Sequence, residues 1–237
     1  MKKLTLILFA FLGLSIISSC RNTIEGSGYY VTETRALGEI NAVTISGDFD
    51  VVLHKDSVSS VRIYAEDNIV PEIVTELNSN NSLSIYYRDY RSKYDHGRVD
   101  IYVPVKNLRA VDLQSSGSIH GTPVLFASEV KLNISGSGEV KLPVNTEKIY
   151  SNMSGSGLME LWGTATNTDQ SISSSGKIRS FGLVSKDVKV SISGSGTCEV
   201  NATQTLDATI SGSGNIIYMG NPQVTTHISG SGKVKKY

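Results

Sequence analysis

The sequence carries no excess charge of either sign, because Lys and Arg together number 22 and Asp and Glu together also number 22. A chain without net charge generates no long-range field that would attract nucleic acid. We therefore expect no nucleic-acid partner. Any ligand should be recognised by shape, hydrogen bonds or stacking.

The sequence also lacks an apolar run long enough to span a membrane with confidence, since the run at residues 4–17 is short. It follows Lys2 and Lys3, and two small residues then precede Cys20. This arrangement resembles a bacterial lipoprotein signal peptide, which implies that residues 1–19 are removed and that Cys20 is acylated. An ordinary secretory signal, with Cys20 incidental, is the alternative. We interpret residues 20–37 as a linker that follows the lipidated cysteine.

Cysteine is scarce, with only Cys20 and Cys198 in the chain. Acylation of Cys20 would leave Cys198 without a partner, so no disulfide is expected. Cys198 falls at an apolar position of the repeat described next, which favours a small buried side chain over a reactive thiol.

A glycine-marked repeat fills the second half of the chain. Its spacing is 18 to 21 residues, which is the signature of stacked structural units. The repeat is aligned on the second glycine of a Ser-Gly-Ser-Gly turn or its equivalent, at Gly117, Gly138, Gly157, Gly176, Gly196, Gly214 and Gly232.

Around each of these glycines, apolar and polar residues alternate with the period of two that predicts β-strands. Apolar residues occupy the positions four before and two after the glycine, as in Ile134 and Val140, and a third apolar column lies eight before it. The position immediately before the glycine is always Ser, and the position three before it is Ser in six of seven copies. We predict that the apolar columns form the core and that the serine columns face solvent.

A unit of about 19 residues cannot bury an apolar face alone, so the units must stack. The sequence therefore predicts an all-β fold, a right-handed parallel β-helix or β-solenoid over residues 111–237. Glycine at the turn is explained either by a positive φ or by a lack of space for a side chain.

Residues 38–110 alternate without this period and are interpreted as irregular first coils that cap the solenoid. Pro71 could begin a short helix or lead into a hairpin strand. The predicted strands are 43–45, 49–53, 61–64, 82–86 and 99–103.

One segment of this cap, residues 86–98, is rich in tyrosine and arginine. Such residues stack on sugars and aromatic rings and dominate many binding surfaces. The alternative is a polar hairpin whose tyrosines cover apolar edges. The candidate ligand surface consists of Tyr86, Tyr87, Tyr90, Arg91 and Tyr94.

Three features of the sequence together resemble those of one known family. They are the segment 38–53 (GEINAVTISGDFDVVL), the strand 99–104 that leads to Leu108, and the GSG repeats. The family is that of putative auto-transporter adhesins with a head GIN domain. The resemblance implies a right-handed β-helix related in shape to pectin lyases, with no catalytic residues and a role in adhesion. Neither heptads nor a C-terminal barrel segment supports the auto-transporter part of that name.

Residues that could support catalysis do not form a pattern. The acidic residues of the repeats sit at different offsets, no Gly-x-Ser-x-Gly elbow occurs, and the turns contain no Walker lysine. The four histidines lack metal-ligand spacing and are predicted to lie on the surface. Asp48 and Asp50 could bind a cation, but a turn and an outward strand position explain them as well. We predict no enzyme activity, no metal and no cofactor.

These features predict a lipid-anchored protein of the bacterial cell envelope, in the outer membrane if the cell is Gram-negative. Its expected role is adhesion, or protein or glycan interaction, without catalysis. The alternatives are a carbohydrate-binding module or polysaccharide-active β-helix enzyme, and a structural or sensory envelope domain. Which side of the membrane it faces stays open. An open C-terminal coil is expected to permit homo-oligomers.

Overall fold

The structure is a computed structural model that describes residues 23–55 and 59–237. Within these residues the chain forms nineteen β-strands and one 3-10 helix of a single turn, Val70–Glu72, which confirms the all-β prediction. The predicted leader, residues 1–19, and the predicted lipid attachment site, Cys20, lie outside the described residues. Over the ranges that are described, no helix is long and apolar enough to cross a membrane.

The repeat region is a β-solenoid of about seven turns, as predicted. Each strand pairs in parallel with a strand about one repeat later in the sequence; Ile149, for example, lies opposite Thr168. Several strands run from one turn through a corner to the next turn and are therefore long. The strands are β10 (Ala110–Leu113), β11 (Ser118–Gly121), β12 (Leu125–Ile134), β13 (Glu139–Met153), β14 (Leu158–Ile172), β15 (Lys177–Ile192), β16 (Thr197–Gly212), β17 (Asn215–Gly220), β18 (Gln223–Gly230) and β19 (Lys233–Lys236).

The apolar columns form one continuous core along the stack. Ile134, Val140 and Val130 are all at most 1% exposed, and both serine columns face solvent, as the alternation predicts. At the last coil the apolar column becomes accessible to solvent, since Ile228 is 46% exposed.

For the second glycine of each turn, the structure decides between the two explanations. None of the seven second glycines has a positive φ. A Cβ on Gly196, however, would lie 2.5 Å from Ile172 Cγ2 and 2.8 Å from the carbonyl oxygen of Gly176, one coil earlier. Lack of space therefore requires glycine here, because the turn of one coil rests directly on the backbone of the previous turn.

The same coil register begins well before the first glycine turn. Strands β3 (Ala42–Ser46) and β4 (Asp50–His54) pair in parallel with β10 and β11, so Phe49 takes the place that Gly117 has in the next coil. On their other side, β3 and β4 pair in parallel with β7 (Ser82–Tyr87) and β9 (Asp100–Pro104). The β7–β9 coil is therefore the first layer of the stack, although it follows β3 and β4 in the sequence.

Antiparallel strands close this end of the stack. Strand β5 (Ser60–Glu66) pairs antiparallel with both β9 and β2 (Tyr30–Ala36), and β6 (Ile73–Leu77) pairs antiparallel with β7. Pro71 lies in the 3-10 turn that leads directly into β6. The region predicted as irregular coils thus mixes two parallel coils with antiparallel covering strands, and the segment predicted as a linker contributes β2 to that cover.

Cys198 is fully buried, as its repeat position predicts, and within the described residues it is a free thiol. Its thiol lies 2.9 Å from Gln170 Oε1, whose amide nitrogen donates to Ser180 Oγ at 3.1 Å. Burial raises the pKa of the Cys198 thiol, which therefore stays protonated at neutral pH.

Candidate functional site: an aromatic loop in the cap

The tyrosine- and arginine-rich segment replaces a solenoid turn. In the coil formed by β3 and β4, three residues, 47–49, connect the two strands. In the first layer, the connection between β7 and β9 is longer and spans residues 88–99. This loop contains the short strand β8 (Lys93–Asp95), which pairs in parallel with β1 (Thr23–Glu25). We call residues 88–99 the aromatic loop.

Tyr87 anchors the aromatic loop to the core. Its ring stacks on Tyr94, with centroids 4.0 Å apart, and packs against the buried Phe49 at 4.6 Å. Phe49 can occupy the turn position because this loop, unlike a tight glycine turn, leaves space for a ring. Tyr87 therefore fits the alternative interpretation of this segment, in which its tyrosines cover apolar edges.

The phenol of Tyr87 belongs to a polar cluster. Its oxygen lies 2.9 Å from Asp48 Oδ1 and also contacts Nε2 of His96, whose Nδ1 lies 2.7 Å from the carbonyl oxygen of Gly97. Burial, and then the nearby Asp48 carboxylate, raises the pKa of Tyr87, so the phenol stays neutral. The His96 side chain is 4% exposed, so its prediction as a surface residue is wrong.

The tip of the aromatic loop projects into solvent. Tyr90 is 82% exposed, and the Arg91 guanidinium lies 5.4 Å from the centre of its ring. Asp89 orders the tip by accepting hydrogen bonds from the Arg91 backbone N–H at 2.9 Å and from Ser92 Oγ at 2.8 Å. The hydrogen bond from the Arg91 backbone, followed by that from Ser92, lowers the pKa of Asp89.

A surface cavity of about 410 Å³ lies beside this tip. Four of the five residues predicted as the ligand surface line it, whereas Arg91 lies outside the lining. Tyr86 is held in place by its hydroxyl, which donates to Glu76 Oε2 at 3.1 Å. The complete lining is Ser46, Tyr86, Tyr87, Arg88, Tyr90, Ser92 and Tyr94.

Sequence reasoning did not assign Asp48 and His96, which contact the Tyr87 phenol, to this site, because it considered Asp48 only as a cation ligand and His96 only as a surface residue. It also missed Ser46, which comes from the next coil. The segment 45–50 (ISGDFD) resembles the repeat turn ISGSGE, and aligning the two would have placed Phe49 at the second-glycine position of a turn.

A buried carboxylate ties the aromatic loop to the first described strand. Glu66 is 6% exposed and accepts hydrogen bonds from the backbone N–H groups of Gly28 at 3.0 Å and Gly97 at 3.2 Å. Asn68 adds a hydrogen bond to the carbonyl oxygen of Glu25 at 2.7 Å. Strand β1 and the aromatic loop are therefore held as one unit against the cap.

A second exposed apolar surface lies on one outer sheet of the solenoid. One register row across β12 to β15 consists of Phe126, Asn145, Thr164 and Val184. Trp162 projects from the same face of β14 as Thr164. Phe126 is 65% exposed, Val184 42% and Trp162 41%. We call Phe126, Trp162, Thr164 and Val184 the outer face.

Taken together, the geometry defines a β-solenoid whose first layer carries an aromatic loop and whose outer sheet presents aromatic side chains. The chain belongs to the family described as putative auto-transporter adhesin, head GIN domain, whose model matches residues 39–222. This confirms the family resemblance seen in the sequence. No match was found among curated proteins.

Solved structures share the fold over nearly the whole chain. A putative lipid binding protein from Parabacteroides distasonis has 26% identity and a TM-score of 0.79, covering 91% of this chain and 100% of its own. A putative adhesin from Bacteroides fragilis has 23% identity and a TM-score of 0.85, covering 90% and 100%. A putative adhesin from Parabacteroides merdae has 24% identity and a TM-score of 0.74, covering 91% and 99%. The adhesin description of the family suggests a cell-envelope or surface protein.

Proposed function

We propose that this chain is a lipid-anchored protein of the bacterial cell envelope that binds protein or glycan ligands and does not catalyse a reaction. The lipoprotein-like leader ending at Cys20 supports the anchor, and family membership supports the adhesive role. The solenoid supplies a rigid support, because each coil is paired along its length with its neighbours.

The observation that carries the binding role is the outer face. Parallel sheets normally bury large apolar side chains, whereas Phe126, Trp162 and Val184 are exposed on this one, on three of its strands. Trp162 lies beside Gly182 on the next strand, where an added Cβ would come within 2.8 Å of the Trp162 Cβ. The missing side chain at Gly182 leaves the Trp162 indole accessible to a ligand.

Binding of the purified protein to glycans, extracellular-matrix proteins and envelope proteins tests this role. The double variant Phe126→Ala/Trp162→Ala should weaken binding by at least tenfold, because a few buried aromatic contacts dominate most interfaces. Ser156→Ala, a change in the exposed serine column, is the matched control and should bind like the wild type. The proposal fails if no ligand binds and deletion of the gene leaves adhesion unchanged.

A second candidate function is carbohydrate binding at the aromatic loop. The specific observation in its favour is the cavity beside the loop tip, which is lined by four tyrosines and by Arg88. A glycan array would show binding that is lost in Tyr90→Ala/Arg91→Ala but kept in Phe126→Ala/Trp162→Ala. Release of reducing sugars from a polysaccharide would instead indicate a β-helix enzyme.

The name of the Parabacteroides distasonis neighbour suggests lipid as a further ligand class. For this chain, we propose that lipid is covalently attached at Cys20. Protease accessibility on intact cells would establish which side of the membrane the solenoid faces. A stress phenotype without any change in attachment would favour a structural or sensory role.

A further inference from the structure

The tip of the aromatic loop enters the fold beside the first described residue, Thr23. Strands β1 and β8 are parallel, and Thr23 lies opposite Lys93. The starts of two parallel strands lie at the same end of their sheet. In the sequence, Cys20 is three residues before Thr23, and Tyr90 is three residues before Lys93. The proposed lipid attachment site is therefore separated from this end of the sheet by a connection as short as the one that joins the loop tip to it.

The short connection limits how far the cap can stand from the membrane. Three fully extended residues span at most about 11 Å. Paired strands lie about 4.8 Å apart, and the polar layer of each leaflet is roughly 5–8 Å thick. Acyl chains on Cys20 would therefore hold the Thr23 and Lys93 end of the cap close to the lipid headgroups, because Glu66 and Asn68 fix β1 to the cap.

The chemistry of the tip suits such a position. Tyr90 is an exposed aromatic residue with a polar end, and tyrosine is enriched at the level of the headgroups. Residues 88–95 carry three cations and two carboxylates. Asp89 already accepts two hydrogen bonds within the loop, and Asp95 lies 3.7 Å from the Lys93 ammonium. Arg91 lies next to Tyr90 and can donate to lipid phosphate.

We propose that the aromatic loop is the membrane-facing surface of the protein, with Tyr90 and Arg91 among the headgroups of the bilayer that holds the Cys20 lipid. This inference rests on the proposed lipid attachment. The β7–β9 coil and the β18–β19 coil are the first and last of nine stacked layers, and the eight steps between them span about 38 Å. The proposed orientation directs the stack axis away from the bilayer, so that the last coil lies far from the headgroups and the outer face stays accessible to ligands.

Depth-dependent quenching on the acylated full-length protein tests this orientation. A fluorophore is attached at Tyr90→Cys or, in the matched control, at Tyr237→Cys; both tyrosines are 82% exposed. Cys198 is buried and Cys20 is acylated, so the label reports the introduced thiol. The protein is reconstituted into vesicles of phosphatidylethanolamine and phosphatidylglycerol that contain headgroup-labelled nitroxide lipid.

We expect at least twofold stronger quenching at position 90 than at position 237, and a smaller difference when Arg91→Glu is added. Equal quenching at the two positions, in protein that floats with the vesicles, overturns the orientation and leaves the anchor intact. Mass spectrometry that finds no acyl group on Cys20 overturns both. Glycan binding that shields position 90 in the absence of lipid quenching assigns the loop to carbohydrate instead.

Discussion

Replacement of Gly196 by alanine tests the steric origin of the repeat most sharply. The new Cβ would lie 2.5 Å from Ile172 Cγ2 and 2.8 Å from the carbonyl oxygen of Gly176, whereas carbon atoms in contact normally lie about 3.5–4.0 Å apart. Relief requires one coil to move relative to the next. Overpacking of this kind costs about 1–3 kcal/mol. At this chain length, each kcal/mol lowers the melting temperature by about 2–4 °C.

The matched control is Ser195→Ala, one residue earlier in the exposed serine column, which should change stability by less than about 0.5 kcal/mol. Thermal unfolding followed by circular dichroism compares the two variants with the wild type. A melting temperature for Gly196→Ala that is indistinguishable from that of Ser195→Ala would refute the steric explanation. Since Gly196 does not have a positive φ, no conformational penalty of alanine could account for a loss.

Four further outcomes are expected. Tyr87→Ala should cost about 3 kcal/mol in chemical denaturation, because its stacked ring is lost, while Tyr90→Ala should change stability by less than about 0.5 kcal/mol. Because the pKa of Tyr87 is raised in the folded state, this phenol ionises first in the unfolded chain. Its contribution to the free energy of unfolding is therefore complete below pH 10 and falls by about 1.4 kcal/mol per pH unit above it. Urea titrations should show that Tyr87→Phe removes this slope. Glu66→Gln should release β1, seen as faster hydrogen exchange at residues 23–28, and unchanged exchange there would contradict the tie through Glu66. Sedimentation should detect an end-on dimer at high protein concentration, and deletion of residues 228–237 should abolish it. A strict monomer would instead mean that the lysines at 233, 235 and 236 block association.

The sequence alone predicted the solenoid because its signal is repeated seven times. Each copy places the same residue types at the same offset from glycine, so the core columns, including Ile134 and Val140, could be read directly. The five predicted strands of the cap, which correspond to β3, β4, β5, β7 and β9, are also present.

The order of the first layers could not be predicted in this way. A period of two identifies a strand but does not reveal which strand pairs with it or in which direction. The β3–β4 coil lies between two coils that both follow it at much more than one repeat length, since Ala42 lies opposite Ser82 on one side and opposite Ala110 on the other. The antiparallel cover of β2, β5 and β6 has no repeat to indicate it. Because Phe49 stands where the later turns have glycine, the β3–β4 turn could not be recognised as a member of the repeat.

The aromatic loop was predicted as a tyrosine-rich candidate surface, but its internal division could not be. Tyr87 is a packing residue and Tyr90 is the exposed tip, although the two are only three residues apart. Burial of Tyr87 depends on Phe49, which comes from the neighbouring coil, and on His96, which lies near the other end of the same loop. Local composition does not carry that information.

Metabolic labelling with an alkyne fatty acid in the bacterium that makes this protein tests the proposed lipid anchor at Cys20. We expect the wild-type chain to be labelled and to fractionate with the membrane, whereas Cys20→Ala should be unlabelled and leave the membrane fraction. An unlabelled wild-type chain in the soluble fraction would contradict the lipid anchor and, with it, the orientation of the aromatic loop.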